Sequence, residues 1–132
     1  MIKVFVNGTF DLPHRAHLEL LSYARSLGNQ LIVAIDSDRR VAELKGPSRP
    51  VYNQYDRKFF LESLKSVTQV MIFDSDQALI TLIKNMAPDI MVKGSDYRGK
   101  PILGAEFCKD IVFYERVPEY STTKTIQRII SR

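Results

Sequence analysis

The sequence predicts an α/β fold, a Rossmann-like, doubly wound sheet of about five parallel strands with helices on both faces. Two observations carry this prediction. Short apolar segments alternate along the chain with segments whose apolar residues recur at helical spacing. The apolar segments are also nearly unbroken, which is typical of parallel strands covered on both sides. With 132 residues, of which 45% are hydrophobic and 26% charged, the chain is predicted to form one domain over residues 1–132.

The first strand is predicted over residues 2–7, where IKVFVN forms an apolar run. A helix follows over residues 15–27, because apolar side chains recur there at helical spacing and Gly28 stands where a helix ends. The second strand is predicted over residues 30–35, a β-branched run that reads QLIVAI.

A short helix is then expected from a Ser37 cap through Glu43. Residues 44–53 contain two prolines and a glycine, which predicts a loop. Residues 54–65 form the next predicted helix. Its Phe59–Phe60 pair is interpreted as core packing rather than as a surface on which bases stack.

Three more strands are predicted, over residues 68–73, 89–93 and 110–114. Between the first two of them, residues 76–86 match an amphipathic helix most closely. A last helix is expected over residues 122–131. The side chains expected to face inward on it are those of Ile126, Ile129 and Ile130.

The charge balance favours phosphate-bearing partners, since the net charge is +4 and the pI is about 9.3. The basic residues form no long block and no aromatic–basic stripe, which argues against nucleic acid as the partner. The longest apolar run, Leu31–Ile35, is too short to cross a membrane, and we see no signal peptide. The single Cys108 cannot form an internal disulfide. We therefore expect a cytoplasmic protein without a membrane partner.

The most informative segment links the first strand to the first helix and reads NGTFDLPHRAH over residues 7–17. Doubly wound sheets bind phosphates at this position. Gly8 and Thr9 present backbone N–H groups there, and the helix start adds the positive end of its dipole. His14 and His17 lie three residues apart, so both rings project to one side and can donate hydrogen bonds to phosphate oxygens in a transition state.

Other uses of these residues fit the sequence less well. Two histidines at this spacing also occur as surface residues, and they can bind a metal ion, but the chain has no third histidine. No G-x-G-x-x-G motif is present, which excludes the dinucleotide fingerprint. Gly99 and Gly104 have P-loop spacing, but Ala105 and Glu106 follow where the motif needs Lys and Ser or Thr.

The turn and the histidine pair resemble the signature of the cytidylyltransferase-like nucleotidyltransferase superfamily, in which a G-T-F-D turn precedes (H/T)-x-G-H. The similarity covers nearly the whole chain. The segments LKGPSRP (44–50), VKGSDY (92–97) and YSTT (120–123) resemble the adenylyltransferase domain of bacterial ADP-heptose synthesis enzymes. The length, the opening GTFDLPH and the terminal STT are also similar to glycerol-3-phosphate cytidylyltransferase.

This resemblance implies an enzyme that joins a nucleoside triphosphate, preferably ATP, to a sugar phosphate such as heptose 1-phosphate and releases pyrophosphate. It also implies a homodimer, and it places Phe10 and Asp11 in the nucleotide site with Gly8 and Thr9. One position departs from the family signature, since Ala16 stands where the family has glycine. Glycine lets a nucleotide approach the backbone closely, so we expect the Ala16 methyl group to line the nucleotide site.

Several cations must converge on a nucleoside triphosphate, which brings about four negative charges. Lys45 and Arg49 lie on the predicted loop, Arg57 opens the next helix, and Lys93 ends the fourth strand. The residues that follow Lys93, Gly94 to Asp96, form a turn whose carboxylate either binds a base edge or ribose or serves only the turn.

These residues are assigned to three tasks. His14, His17 and Lys45 form the catalytic group around the reacting phosphates. The remaining triphosphate and nucleotide contacts are assigned to Lys93, Gly94, Asp96, Arg116, Ser121, Thr122 and Thr123. Arg49 and Arg57 are predicted to bind the acceptor phosphate. Mg²⁺ is expected to bridge phosphate oxygens through water with no protein ligand, Asp11 being the acid considered for that role.

Two alternatives remain open. The chain is either the adenylyltransferase or a glycerol-3-phosphate cytidylyltransferase that uses CTP and a polyol phosphate. A third reading, from another class, is a non-catalytic nucleotide-binding module, which the substitution at Ala16 favours.

Overall fold

Five parallel strands form one sheet in the described part of the chain, which comprises residues 1–115 and 122–131 of a computed structural model. Along the chain they are β1 Lys3–Gly8, β2 Gln30–Asp36, β3 Gln69–Phe73, β4 Ile90–Gly94 and β5 Asp110–Tyr114. In the sheet they lie in the order β3-β2-β1-β4-β5, and each neighbouring pair runs parallel. The predicted α/β fold class is therefore confirmed.

Helices connect most of these strands. They are α1 Arg15–Ser26, α2 Asp38–Lys45, α3 Gln54–Glu62, α4 Asp76–Met86 and α5 Thr122–Ser131. Two short 3₁₀ turns, Ser95–Tyr97 and Ala105–Phe107, lie between β4 and β5. The predicted cap at Ser37 is confirmed, because its hydroxyl accepts a hydrogen bond from the Arg40 N–H at 3.2 Å. None of the described helices is long and apolar enough to cross a membrane.

The sheet is covered on both faces, as the doubly wound prediction requires. On one face α1 and α3 pack through Leu21 and Leu61 against Val4, Val6 and Val33. On the other face α4 packs against Phe5, Ile32 and Ala34. The side chains that α4 contributes to this second core are Leu79 and Ile83, joined by the partly buried Leu82 and Met86. Residues of one strand thus alternate between the two cores.

The strand order reverses at β1, which lies between β2 and β4. The helix that leaves β1 crosses to one face of the sheet, whereas the helix that leads into β4 lies on the other. Helices that diverge in this way leave a crevice at the carboxyl ends of the strands, where open α/β sheets bind ligands.

Two helix boundaries differ from prediction by more than one residue. Helix α2 continues to Lys45, so Lys45 ends a helix instead of opening the loop. Gly46 terminates that helix with φ of 106°, a backbone conformation that favours glycine. Helix α3 ends at Glu62, three residues before its predicted end at 65.

The predicted burial of two apolar pairs was wrong. Phe59 and Phe60 are 73% and 40% exposed, so they do not form core packing. The buried residues of α3 are Arg57 and Leu61, one turn apart, and this spacing turns Phe59 and Phe60 away from the sheet. Ile129 and Ile130 on α5 are 62% and 78% exposed rather than inward, since no described residue covers them.

Candidate active site

A cavity of about 560 Å³ opens at the carboxyl ends of the central strands. Walls come from the start of α1, the end of α2, α4 and the chain after β4. The sequence-predicted residues that line it are Gly8, Thr9, Phe10, His14, Ala16, His17, Lys45, Lys93, Gly94 and Asp96. A volume of this size suits a small-molecule ligand rather than a polymer.

The two histidines lie together at the N-terminus of α1. Their ring centroids are 4.0 Å apart, and the rings are tilted by 35°. The Nδ1 atom of His17 accepts a hydrogen bond from the backbone N–H of His14 at 3.1 Å. A neutral His17 therefore carries its proton on Nε2, which makes Nε2 the nitrogen that donates hydrogen bonds.

The turn before α1 is held in an unusual backbone conformation. Phe10 and Leu12 have positive φ angles of 49° and 53°, which are rare for large side chains and store strain of about 1–3 kcal/mol each. The buried Phe10 ring lies 5.3 Å from the His17 ring. A side chain at Gly8 would place its Cβ 3.1 Å from the Phe10 ring. The Phe10 ring therefore packs directly against Gly8, and this contact fixes the backbone path of the turn.

Asp11 belongs to this turn, is buried, and anchors the loop between α2 and α3. Its carboxylate accepts hydrogen bonds from the backbone N–H groups of Val51 at 2.8 Å and Tyr52 at 3.0 Å. It also accepts from Nε of Arg49 at 3.2 Å, and the Arg49 side chain is only 9% exposed. Neither Asp11 nor Arg49 lines the cavity. In this geometry both side chains anchor the loop, whereas the nucleotide contact of Asp11 and the acceptor contact of Arg49 stay predictions.

Arg57 is also buried, and protein groups surround its guanidinium. It donates hydrogen bonds to the backbone carbonyls of Tyr52, Thr9 and Asp36 at 2.8 to 3.0 Å. A fourth bond joins it to the Asp38 carboxylate at 2.9 Å. The side chain is fully enclosed and is not among the residues that line the cavity, so this geometry gives no support to the predicted contact with an acceptor phosphate. Arg57 instead ties the loop, the histidine turn and the end of β2 together.

Lys93 remains on the cavity wall, although it is largely buried. Its Nζ donates a hydrogen bond to Oδ1 of Asn7 at 2.8 Å and lies 4.9 Å from the centroid of the Tyr97 ring. Burial lowers the pKa of Lys93 below its ordinary value, and the carboxylates of Asp36 and Asp96 oppose this shift. The Lys93 ammonium therefore lies in a site that is largely shielded from water, near the carboxylates of Asp36 and Asp96.

Sequence reasoning missed several residues of the wall. The polar ones are Asn7, Glu19, Asp36 and Arg40, and the apolar or aromatic ones include Phe73, Leu79, Tyr97 and Ile102. Asp36 is buried and accepts a hydrogen bond from Nε of Arg40 at 2.8 Å. A signal was available in the sequence, since Asp36 directly follows the run LIVAI and so ends a parallel strand on the ligand-binding edge.

Part of the predicted site lies outside the described residues. Arg116 and Ser121 belong to this part. Thr122 and Thr123 open α5, and their side chains are not described. The described residues contain no group of three or more His, Cys, Asp or Glu side chains arranged to hold a metal ion.

Comparison with known proteins gives a consistent picture. Residues 5–128 match the family model described as Cytidylyltransferase-like. The chain is 46% identical over 126 residues to the bifunctional protein HldE of Campylobacter fetus subsp. fetus, with 96% of this chain covered. It is 46% identical to the HldE protein of Sulfurimonas denitrificans and 44% identical to that of Helicobacter pylori strain P12, again over 96% of this chain. The chain spans only 26–27% of the length of these relatives.

A solved structure supports the fold alone. The lipopolysaccharide core biosynthesis protein of Thermoplasma volcanium superposes with a TM-score of 0.70 at 23% sequence identity. The match covers 87% of this chain and 98% of that protein.

Proposed function

Because the chain belongs to the cytidylyltransferase-like family, we propose that it transfers a nucleotidyl group from a nucleoside triphosphate, ATP in preference, to a sugar phosphate such as heptose 1-phosphate. Pyrophosphate is the second product. The resemblance to this superfamily and to its heptose-phosphate branch is confirmed by the matches, whereas the substrates are our proposal. One observation carries it: two stacked histidines stand at a helix N-terminus on the wall of a cavity at the ligand-binding edge of the sheet.

In the proposed reaction an oxygen of the acceptor phosphate attacks the α-phosphorus of the nucleotide in line. The new P–O bond forms as the bond from the α-phosphorus to the bridging oxygen breaks, and that oxygen leaves on pyrophosphate. The nucleophile is already an anion, so no general base is required. Catalysis then rests on positioning and on stabilising charge.

The residues at the start of α1 supply that stabilisation. His17, whose Nδ1 is occupied by the His14 N–H, directs the donor function to Nε2, and His14 lies beside it. Gly8, Thr9 and Lys45 line the same cavity, and their backbone N–H groups and ammonium are the groups that we propose for binding phosphate oxygens. Groups fixed in this way are set to receive charge as it develops on the α-phosphate and the leaving pyrophosphate.

The other nucleotide contacts are proposals of the same kind. Gly94 and Asp96 line the cavity beyond β4, where a carboxylate can accept from a ribose or base. Ala16 faces the cavity from the first turn of α1. Arg116 and the Ser121–Thr123 segment remain candidates for the β- and γ-phosphates.

Mg²⁺ is proposed to arrive with the nucleotide. Asp11 does not fit as its ligand, because both carboxylate oxygens accept hydrogen bonds from the 49–52 loop. Phosphate oxygens and water would therefore hold the ion, which would neutralise part of the charge on the pyrophosphate. We place the enzyme in the cytoplasm, where nucleoside triphosphates are abundant.

The base preference provides the test. Pyrophosphate release should be measured with ATP and CTP against heptose 1-phosphate and glycerol 3-phosphate, with reactions lacking acceptor as the background. We expect kcat/KM for ATP with the heptose phosphate to exceed every other combination by about 10-fold or more. A preference for CTP with glycerol 3-phosphate would identify the polyol enzyme instead. Normal nucleotide binding without turnover would identify a non-catalytic module.

A further inference from the structure

The cavity extends to the sheet face opposite α1, and this part has its own polar floor. Phe5, Ile32 and Met91 point into the core beneath α4. Side chains at even spacing along a strand point to the same face of the sheet. The positions two residues after Phe5 and Met91, and four residues after Ile32, therefore face the same side as these core residues. The residues at those positions are Asn7, Lys93 and Asp36, and each lines the cavity. We name this part the α4-side lobe; its apolar walls are Phe73, Leu79 and Ile102.

The polar groups of the lobe are fixed by one another and still retain bonding capacity. Lys93 donates one hydrogen bond to Oδ1 of Asn7. This bond occupies the oxygen of the Asn7 amide and leaves its two N–H groups as donors for another acceptor. Oδ1 of Asp36 accepts from Arg40, and no described donor reaches its Oδ2. The lobe therefore offers one carboxylate acceptor together with ammonium and amide donors.

This combination suits hydroxyl groups better than a phosphate. Arg40 pairs with Asp36 and Asp76, and Lys93 lies near Asp36 and Asp96, so acidic side chains already balance the cations of the lobe. A hydroxyl both donates and accepts, and neighbouring hydroxyls can bridge a carboxylate and an ammonium. The apolar walls can pack against the C–H faces of a sugar ring.

We propose that the hydroxylated carbon skeleton of the acceptor binds in the α4-side lobe, where Asp36 accepts hydrogen bonds from its hydroxyls and Lys93 and Asn7 donate to them. This inference rests on the proposed nucleotidyl transfer. It moves Lys93 from the nucleotide to the acceptor and replaces the enclosed Arg49 and Arg57 as acceptor contacts. With this placement the acceptor would approach from the α4 side and the nucleotide phosphates would bind at the start of α1, an arrangement that in-line attack requires.

The test uses Asp36→Asn, which keeps an oxygen for Arg40 and replaces the Oδ2 acceptor with a donor. In the full chain we expect KM for the sugar phosphate to rise about 10- to 100-fold, the range for one hydrogen bond to a charged group. KM for ATP should stay within about twofold. The variant should also lose the wild type's preference for a pyranose 1-phosphate over its matched deoxy analogues, which a merely structural effect would not remove.

Asp74→Asn is the matched control. It makes the same chemical change in a carboxylate that also binds an arginine, outside the cavity, and we expect both KM values to be unchanged. If Asp36→Asn unfolds, Lys93→Met tests the lobe from another strand with the same readouts. A rise in KM for ATP with no change for the sugar phosphate would overturn the inference. Calorimetry with a pyranose 1-phosphate in the absence of nucleotide tests the lobe separately from turnover. Binding by the wild type and its loss in Asp36→Asn would support the lobe even if no nucleotide is transferred. Equal binding by the two proteins would refute it.

Discussion

At the scale of single residues, the bond from the His14 N–H to His17 Nδ1 links helix formation to the catalysis that we propose. His17 Nδ1, which accepts the backbone N–H at the start of α1, cannot donate, so Nε2 is the ring nitrogen that can donate to a phosphate. We predict that His17→Ala lowers kcat by about 10²–10³-fold, the usual loss for one preorganised donor. Nucleotide affinity should change little, since the interaction strengthens only in the transition state.

Stopped assays of pyrophosphate release and titration with a non-hydrolysable nucleotide separate these two effects. His14→Ala should behave in the same way. Ser22→Ala, further along α1 and exposed, is the control and should retain full turnover. Normal kcat in either histidine variant would remove the assigned role.

Ala16 gives a second residue-scale prediction. Its methyl group faces the cavity from the first turn of α1, where the family signature has glycine. Ala16→Gly should change kcat or nucleotide affinity while lowering the free energy of unfolding by only about 1 kcal/mol, the usual helix cost of glycine. A faster variant would show that the methyl group hinders the nucleotide, and a slower one that the site has adapted to it. Identical kinetics and affinity in both proteins would contradict a place in the nucleotide site.

The sequence placed the histidine turn and Lys93 at the ligand-binding edge of the sheet, where both line the cavity, but it could not separate cations of the cavity wall from buried ones. Lys93 ends a strand, so its position on the ligand-binding edge follows from local pattern. Arg57 follows a loop, and its partners Thr9 and Asp36 lie 48 and 21 residues away in the chain. Such contacts leave no periodic signal, and an enclosed arginine has the same sequence signature as an exposed one.

At the scale of elements, Arg57 joins three segments that meet behind the cavity. We predict that Arg57→Met lowers the free energy of unfolding by about 3–5 kcal/mol, because the carbonyls of Thr9, Tyr52 and Asp36 lose their donor and Asp38 loses its partner. Urea unfolding measures this loss. Arg39→Met removes an exposed arginine paired with Asp74 and Glu43, and its effect should be far smaller. Equal losses in the two variants would show that Arg57 does not anchor the loop.

Helix and strand positions followed from periodicity, and the deviations have local causes. Gly46 ends α2 with its positive φ, which the sequence pattern placed two residues too early. Gly28 was expected to mark the end of α1. The structure requires a glycine at this position because a Cβ there would lie only 2.7 Å from the carbonyl oxygen of Ile2. Both cases show that a glycine marks a boundary while its physical reason depends on what lies beside it.

At the scale of the whole molecule, the parallel sheet was predictable because unbroken apolar strands need cover on both faces. The strand order was not, because local patterns do not say which strands become neighbours. That order decides which strand ends meet, and it brings Asn7, Asp36 and Lys93 to one lobe from three different strands. Sequence reasoning named Lys93 but neither Asn7 nor Asp36 as a site residue, so it could not assemble the lobe that we propose for the acceptor.

The exposed apolar surface around α3 leads to the last prediction. Val51, Tyr52, Tyr55 and Phe59 are all exposed, and the last two lie one helical turn apart. Exposed aromatic clusters of this kind are typical of protein interfaces. Together with the homodimer that the family resemblance implies, they lead us to expect that two copies of the chain associate through this surface. Light scattering should then give about twice the chain mass of 15.2 kDa.

Phe59→Asp should convert the protein to a monomer, because it places a charge at the centre of an apolar contact that must be dry. Ile130→Asp is the control, since it makes an equally polar change at another exposed apolar position, on α5. We expect this variant to remain dimeric. A wild type that is monomeric at high concentration would contradict the dimer itself, whereas a dimer that Ile130→Asp disrupts and Phe59→Asp leaves intact would move the interface to α5.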